Sequence, residues 1–488
     1  MQAGDAGAER RLLVVHRHDD IDAGAGRGRV GAHVGRHRSR RTPAAALPQP
    51  PPGAAVLLPS APTAMLGWRS GGRSPAPDAA VGAIPSPAPA LPLDVAAGPP
   101  VDASALRILA RPLLVVGAVL VVSRLAMVVA MARAEGGLGR GLYMAGHFAD
   151  AGWYHAIVAD GYAGGALGIQ KAAFYPGYPL LAALVYEPLH AVPGALQAFG
   201  GDNLVVAAQL LVSNACLVVA VAALWRLYQP RLGTTATLLG SCFLLAAPNS
   251  FFLSSGHSEA AFLAATALAF LFAERGQWVA AGAAAGAAAL IRSPGVLLLL
   301  PLAIIWLRSP RPRVPALAGL ALALAGAGAF PAYTGFAFGD PLLYAHVEAS
   351  WHPQRANPVA TYLELLHRLW WGVRAELRIK PSPITGWYSP KVQILDGVML
   401  LWATASSFLG RVPLGLAHVV WIFLAVLFPL PAGGNPISTN RYLLVAFPAF
   451  FLLGWWLRRR PWLALPMCLA GLFGLFLLAG EATSRFVG

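Results

Sequence analysis

The chain has 488 residues, of which 57% are hydrophobic and only 12% charged, with a mean hydropathy of +0.59. A soluble domain carries about 25% charged residues, so half that share leaves too little polar side chain to coat a water-facing surface, which excludes a soluble or peripheral protein. The 36 Lys+Arg exceed the 21 Asp+Glu by 15, but the basic residues sit mostly at the ends of apolar runs, where they set membrane topology and meet anionic headgroups; no nucleic-acid partner is implied.

Residues 1–105 are dense in Ala, Pro, Gly and Arg and hold no apolar run of spanning length. The stretch Pro43 to Pro62 and the repeats around Ser86-Pro87-Ala88-Pro89-Ala90 offer little to bury and cannot sustain a helix. They read as a disordered tail with no secretory signal, and Met65 is a later candidate start. Residues 106–488 read as the membrane domain.

A helix needs about 20 apolar residues to cross the hydrocarbon core. That rule predicts about 11 spans, near 112–132, 204–226, 233–251, 258–273, 277–291, 294–308, 314–336, 395–410, 412–430, 441–457 and 461–479. The run 176–191 is broken by Pro176, Pro179 and Pro188 and reads as interfacial or re-entrant. With the N-terminus cytoplasmic, 12 arginines fall on short inner connections, from Arg107 and Arg111 to Arg458, Arg459 and Arg460, and only Arg292 and Arg441 on short outer ones. Counting 176–191 as a crossing would invert that bias. The expected fold is therefore an all-α polytopic integral membrane protein with two long extracytoplasmic segments, 133–203 and 337–394. Cys216, Cys242 and Cys468 lie inside apolar runs and imply neither disulfides nor a metal site.

The first outer segment carries the acids Asp150 and Asp160 among Trp153, Tyr154, Tyr162, Tyr175 and Tyr178. A partly desolvated carboxylate beside an aromatic platform is suited to taking one proton from a sugar hydroxyl, although a loop aspartate also caps short helices. Further on, Asn249, Ser250, Ser254, Ser255, His257, Ser258 and Glu259 form a polar break between apolar runs. Arg292 ends a run of Ala and Gly, and Arg441 opens another apolar run. Ionisable residues at membrane depth are costly and suggest function. Two arginines at one face suit a lipid phosphate, or they snorkel to headgroups. Glu259 either pairs with one of them or caps the following helix. In the second outer segment Asp340-Pro341 reads as a turn, and Trp351, Trp370, Trp371, Trp387 and Tyr388 as interfacial anchors. No phosphate loop, nucleophile elbow or H-E-x-x-H is present, and the Gly/Ala-rich run 279–289 reads as a close helix-packing surface.

The order Asp150-x-x-Trp153-Tyr154, Gly161-Tyr162, Phe174-Tyr175-Pro176-x-Tyr178-Pro179 resembles the first-loop signature of the PIG-V-like mannosyltransferases, polytopic enzymes of the GT-C class. Pro248-Asn249-Ser250-Phe251-Phe252, Ser258-Glu259, Leu290-Ile291-Arg292-Ser293-Pro294-Gly295, Gly339-Asp340-Pro341 and Asn440-Arg441-Tyr442 continue the likeness in the same order over roughly 107–460. Ala149 and His257 depart from it, standing where Trp and Tyr are usual. The resemblance implies transfer of mannose from a polyprenyl-phosphate donor to a glycolipid acceptor on the extracytoplasmic face of the cell membrane, with inversion and without metal or cofactor. It implies Asp150 as general base, with Arg292 and Arg441 on the donor phosphate, and Glu259, Trp153, Tyr154, Tyr178 and His257 in substrate binding. A GT-C transferase for arabinose or glucose is the first rival, and a lipid or glycan transporter the second.

Overall fold

The structure is a computed structural model; it describes residues 103–488 except 195–200, 310–312, 352–356, 384–387, 433–438 and 485–488. The expected disordered tail lies outside the described residues apart from 103–105, which open the first helix. All described residues belong to one compact unit, and its regular elements are helical.

In chain order the helices are α1 Ala103–Ala134, α2 Leu138–Ala145, α3 Asp150–Asp160, α4 Gly177–His190, α5 Gly201–Leu232, α6 Thr234–Ala246, α7 Glu259–Glu274, α8 Trp278–Ile291, α9 Leu299–Arg308 and α10 Arg313–Phe338. They continue with α11 Leu343–Trp351, α12 Pro358–Glu376, α13 Pro390–Leu409, α14 Arg411–Leu414, α15 Leu416–Leu427, α16 Thr439–Leu444, α17 Pro448–Leu457 and α18 Ala464–Glu481. Every expected span overlies one of these helices or a short run of them. Among the described residues five segments are long and apolar enough to cross a membrane by length and composition: Arg111–Ala134, Gly201–Leu232, Val314–Phe338, Pro390–Leu409 and Pro461–Glu481. The other six overlie shorter helices, so the count of eleven stays an expectation from hydropathy and charge. The 14-residue α4 is shorter than the roughly 20 residues a crossing takes and lies along α5.

Shielding explains why short helices suffice at the centre. Helices α6 and α7 are apolar all round and buried on nearly every side, so they meet protein rather than lipid. Helix α7 ends in a Schellman turn: Gly276 takes φ +71°, and the Gln277 N–H reaches back to the Phe272 carbonyl at 2.9 Å. Its 16 residues rise about 24 Å, which separates two polar faces. At one end Glu274 meets Arg231 at 2.9 Å, and Arg231 also donates to the Leu414 carbonyl at 3.0 Å. At the other end stand Ser258 and Glu259. Residues expected on the same side of the membrane thus meet one another.

The small-residue run does pack closely. A Cβ on Gly282 of α8 would stand 1.9 Å from the Gly319 carbonyl oxygen of α10, and one on Gly326 would stand 2.4 Å from Gly286 Cα. Backbone cannot yield as a side chain tip can. Gly282→Val is expected to cost at least about 1–3 kcal/mol and to lower the melting temperature of the detergent-solubilised protein. Gly328→Ala, with open space around the added carbon, should leave it within error.

Candidate active site

Two carboxylates and two arginines meet at the end of α7 that carries Glu259. Glu259 is fully buried and opens α7. Its Oε1 accepts from Arg292 Nη1 at 2.5 Å and from Arg441 Nε at 2.8 Å, with Arg441 Nη2 at 2.6 Å. Arg441 Nη1 reaches on to Asp150 Oδ2 at 2.7 Å. Four elements supply the quartet: the start of α3, the start of α7, the extended residue that ends α8, and α16. The Arg292 guanidinium lies 5.0 Å from the Tyr442 ring centroid, and that of Arg441 4.8 Å from Phe252. Both arginines are thus held by an anion on one side and an aromatic face on another. Snorkelling to headgroups does not describe them.

Asp150 and Glu259 both stand in first helical turns, favourable for a carboxylate. Neither serves as an N-cap; both side chains are spent on ion pairs. Ala149, just before Asp150, takes φ +49° and ψ −129°. That conformation is costly for a residue with a Cβ and marks a backbone bent to aim the aspartate. Asp160 lies at the far end of α3, about 15 Å along the axis from Asp150, and takes no part.

The remaining expected residues divide. Tyr154 is buried, and its hydroxyl donates to Ser258 Oγ at 2.9 Å, which in turn lies 3.4 Å from Arg292 Nη1; burial pushes its phenol pKa up. His257 is buried between Phe148 and Phe252, with ring centroids at 4.6 and 5.0 Å, and its Nδ1 lies 2.9 Å from Ser255 Oγ. Burial first, then Arg441, lowers its pKa to about 3. It is a neutral ring behind the quartet. Trp153 stacks on Phe174 at 5.3 Å and meets Trp351 at 5.3 Å, forming an aromatic wall next to Asp150. Tyr178 turns away: its hydroxyl pairs with Ser213 Oγ at 2.9 Å and donates to the Gln209 carbonyl at 3.2 Å, both on α5. Only its ring edge touches Tyr154, at 5.0 Å, so it supports the wall and stands apart from the quartet.

The second outer segment does more than anchor. Trp370 is exposed as an anchor should be, and Asp340 forms the expected turn by accepting from the Leu342 N–H at 2.9 Å. Trp351, however, belongs to the wall. Tyr388 is fully buried and donates to Asp396. Trp387 lies outside the described residues. The sequence also concealed what holds the quartet in place. Asp396 Oδ1 accepts from the Asn440 backbone N–H at 2.8 Å and its side-chain amide at 2.9 Å, while Asn249 donates to the Asn440 carbonyl at 2.7 Å. The residue before Arg441 is therefore held on three sides. Arg124, inside the spanning helix α1, donates to the Ser250 carbonyl at 2.7 Å and to Ser254 Oγ at 2.9 Å. It satisfies buried loop backbone that no water can reach. An arginine in the middle of an apolar helix was the available signal for it. Among the described residues no group of three His, Cys, Asp or Glu is arranged to hold a metal ion.

Residues 196–332, from α5 into α10, match the profile of the dolichyl-phosphate-mannose-protein mannosyltransferase family. The match takes in Glu259 and Arg292 and stops short of Asp150 and Arg441 on either side. No curated protein matches the chain significantly. Among solved structures, the oligosaccharyltransferase of Archaeoglobus fulgidus is similar at 14% identity and a TM-score of 0.41, over 76% of this chain and 53% of that one. This chain thus spans about half of that protein, and a likeness so remote adds nothing to the site. The family match, on a multi-pass helical membrane protein, supports a glycosyltransferase of the GT-C class.

Removing one member of a buried ion cluster leaves the others uncompensated, typically at about 3–5 kcal/mol. Glu259→Gln should therefore lower the thermal stability of the solubilised protein by an amount in that range. Asp150→Asn, at a half-exposed position, should lower it far less. Equal melting temperatures for wild type and Glu259→Gln would contradict the shared-carboxylate geometry.

Proposed function

We propose that the chain transfers mannose from a polyprenyl-phosphate carrier to a hydroxyl of a lipid-linked glycan acceptor, with inversion, on the extracytoplasmic face of the cell membrane. The N-terminus is then cytoplasmic, in accord with the arginine bias of the short loops. The observation that carries this function is the Asp150–Arg441–Glu259–Arg292 quartet at one end of a membrane helix bundle, beside an aromatic wall. It joins a solvent-reachable carboxylate to two arginines suited to a phosphate.

Asp150 acts as general base in this mechanism. The acceptor oxygen forms its bond to the anomeric carbon as its proton passes to an Asp150 oxygen. The bond from that carbon to the phosphate oxygen breaks, and the electron pair leaves on the phosphate. A phosphodiester with one negative charge becomes a monoester with two. In the same step Asp150 loses its charge, so the arginine attraction that held it is released toward the new phosphate charge. The leaving group is already a phosphate, and no strong general acid is required. Glu259 stays paired and keeps both guanidiniums in orientation.

Protein in lipid nanodiscs, given radiolabelled polyprenyl-phosphate mannose and a membrane lipid extract, should move label into glycolipid. Asp150→Asn should reduce that rate by about 10²–10⁴ while inserting normally. Near-normal turnover in this variant would remove Asp150 as the base. Label that moves only from an arabinose-charged carrier would change the sugar and keep the reaction class. Arg292→Ala should lower kcat/KM for the donor by about 10²–10³, with a smaller effect on the acceptor KM. Equal losses on both substrates would make Arg292 structural.

A further inference from the structure

We infer that Gln209 is a positioning residue for the base: its buried side-chain amide holds the first turn of α3 so that Asp150 faces the acceptor. This role rests on the transfer reaction proposed above and adds to it the device that fixes the direction of the acid.

A glutamine inside an apolar spanning helix needs partners, because an amide stripped of water without them is costly. Gln209 of α5 has no solvent exposure. Its Nε2 donates to the Ala151 carbonyl at 3.2 Å and reaches the Gly256 carbonyl at 3.4 Å. Both partners are carbonyl oxygens, which only accept, so the atom that faces them is the NH2 group. Ala151 directly follows Asp150, and Gly256 lies three residues before Glu259. One amide thus bridges the segment that carries the base and the segment that carries the shared carboxylate.

The rest of that α5 face shows why the bridge matters to Asp150. Val206, Gln209 and Ser213 recur at i, i+3 and i+7 and share one side of the helix. A Cβ on Gly146 would stand 2.8 Å from the Val206 methyls, and one on Gly256 would stand 3.0 Å from Gly146 Cα and 3.1 Å from Ala151 Cβ. Ser213 donates to the Ser255 carbonyl at 2.7 Å, and the Gly256 N–H to the Ala145 carbonyl at 2.8 Å. The chain is therefore pinned at Gly146 by close packing and at Ala151 by the Gln209 amide. Between those two points stand Ala149, with φ +49° and ψ −129°, and Asp150. A strained residue persists only where its surroundings over-determine it. The Asp150 side chain is half-exposed beside Arg441, so packing alone does not fix its direction. Release of the Ala151 carbonyl lets Ala149 relax, and the carboxylate swings with it.

Gln209→Met keeps the length of the side chain and removes its donor. In nanodiscs with radiolabelled polyprenyl-phosphate mannose and membrane lipid extract, it should lower kcat by about 10–10²-fold. The donor KM should stay within about twofold, since the arginines keep their places. Ala149→Gly makes a positive φ inexpensive, so in that background the turn has little strain to release. There Gln209→Met should lose at least about threefold less than it does with Ala149 present. Hydrogen exchange reads the same turn without catalysis. Amides of residues 150–155 should exchange at least about tenfold faster in Gln209→Met, and Ala149→Gly should restore most of their protection. Should Gln209→Met fail to insert, Gln209→Asn, one methylene short of both carbonyls, is read by the same two measures. Equal losses in both backgrounds, or unchanged exchange over 150–155, overturns the role. Failure of wild type to use the mannose carrier, with the exchange pattern intact, overturns the donor assignment and supports Gln209 as the brace of α3.

Discussion

A carboxylate with no exposure to solvent, shared by two guanidiniums, is the constraint on which this molecule depends. Glu259 lies at the start of a helix that is otherwise apolar all round. Taking a carboxylate out of water costs several kcal/mol even after relaxation, and the cost is offset only by close, well-directed partners. Arg292 and Arg441 supply them at 2.5–2.8 Å, and they too are withdrawn from water. Asp150 completes the balance at 2.7 Å from Arg441. The four charges sum to zero, and each is tolerable because of the others.

Much of the surrounding architecture follows from the need to hold these groups within hydrogen-bond reach. The segment between α6 and α7 is buried and holds only one short 3-10 turn, Ser250–Leu253, so its remaining backbone groups need protein partners. Arg124 from α1, Ser213 from α5, whose hydroxyl donates to the Ser255 carbonyl at 2.7 Å, and the Gly256 N–H bonded to the Ala145 carbonyl at 2.8 Å supply them. Asp396 and Asn249 do the same for the residue before Arg441. The strained backbone at Ala149 fits this pattern: local cost is accepted where an acid must point in one direction.

Legibility in the sequence tracked contrast. Glu259, Arg292 and Arg441 stood out because each interrupts apolar surroundings, where a charge needs a reason. Asp150 stood out as one of two acids among clustered aromatics, and Tyr154 and His257 as polar groups beside these residues. Trp351 stood out only as an interfacial anchor, because α11 lies in a mixed polar segment where a tryptophan has no other evident task. Tyr178 misled for the opposite reason. It belongs to the aromatic motif, yet position within a motif says nothing about which way a hydroxyl turns, and here it turns to α5. Asp396 was concealed inside an expected span, where its partner Asn440 is 44 residues away.

From the amino-acid order alone follow the helical membrane class, the main apolar runs, the separation of polar residues into two groups and the acids and arginines worth suspecting. These are local properties: hydropathy over about 20 residues and the cost of a charge in an apolar neighbourhood need no knowledge of what lies across the fold. Only the tertiary structure decided which charges pair. The quartet joins residues up to 291 positions apart in the chain, and ion pairing is set by distances of a few ångströms between side chains that one-dimensional spacing does not encode. The same holds for the aromatic wall, where Trp153 meets Trp351, since helix faces come into register only when the helices pack.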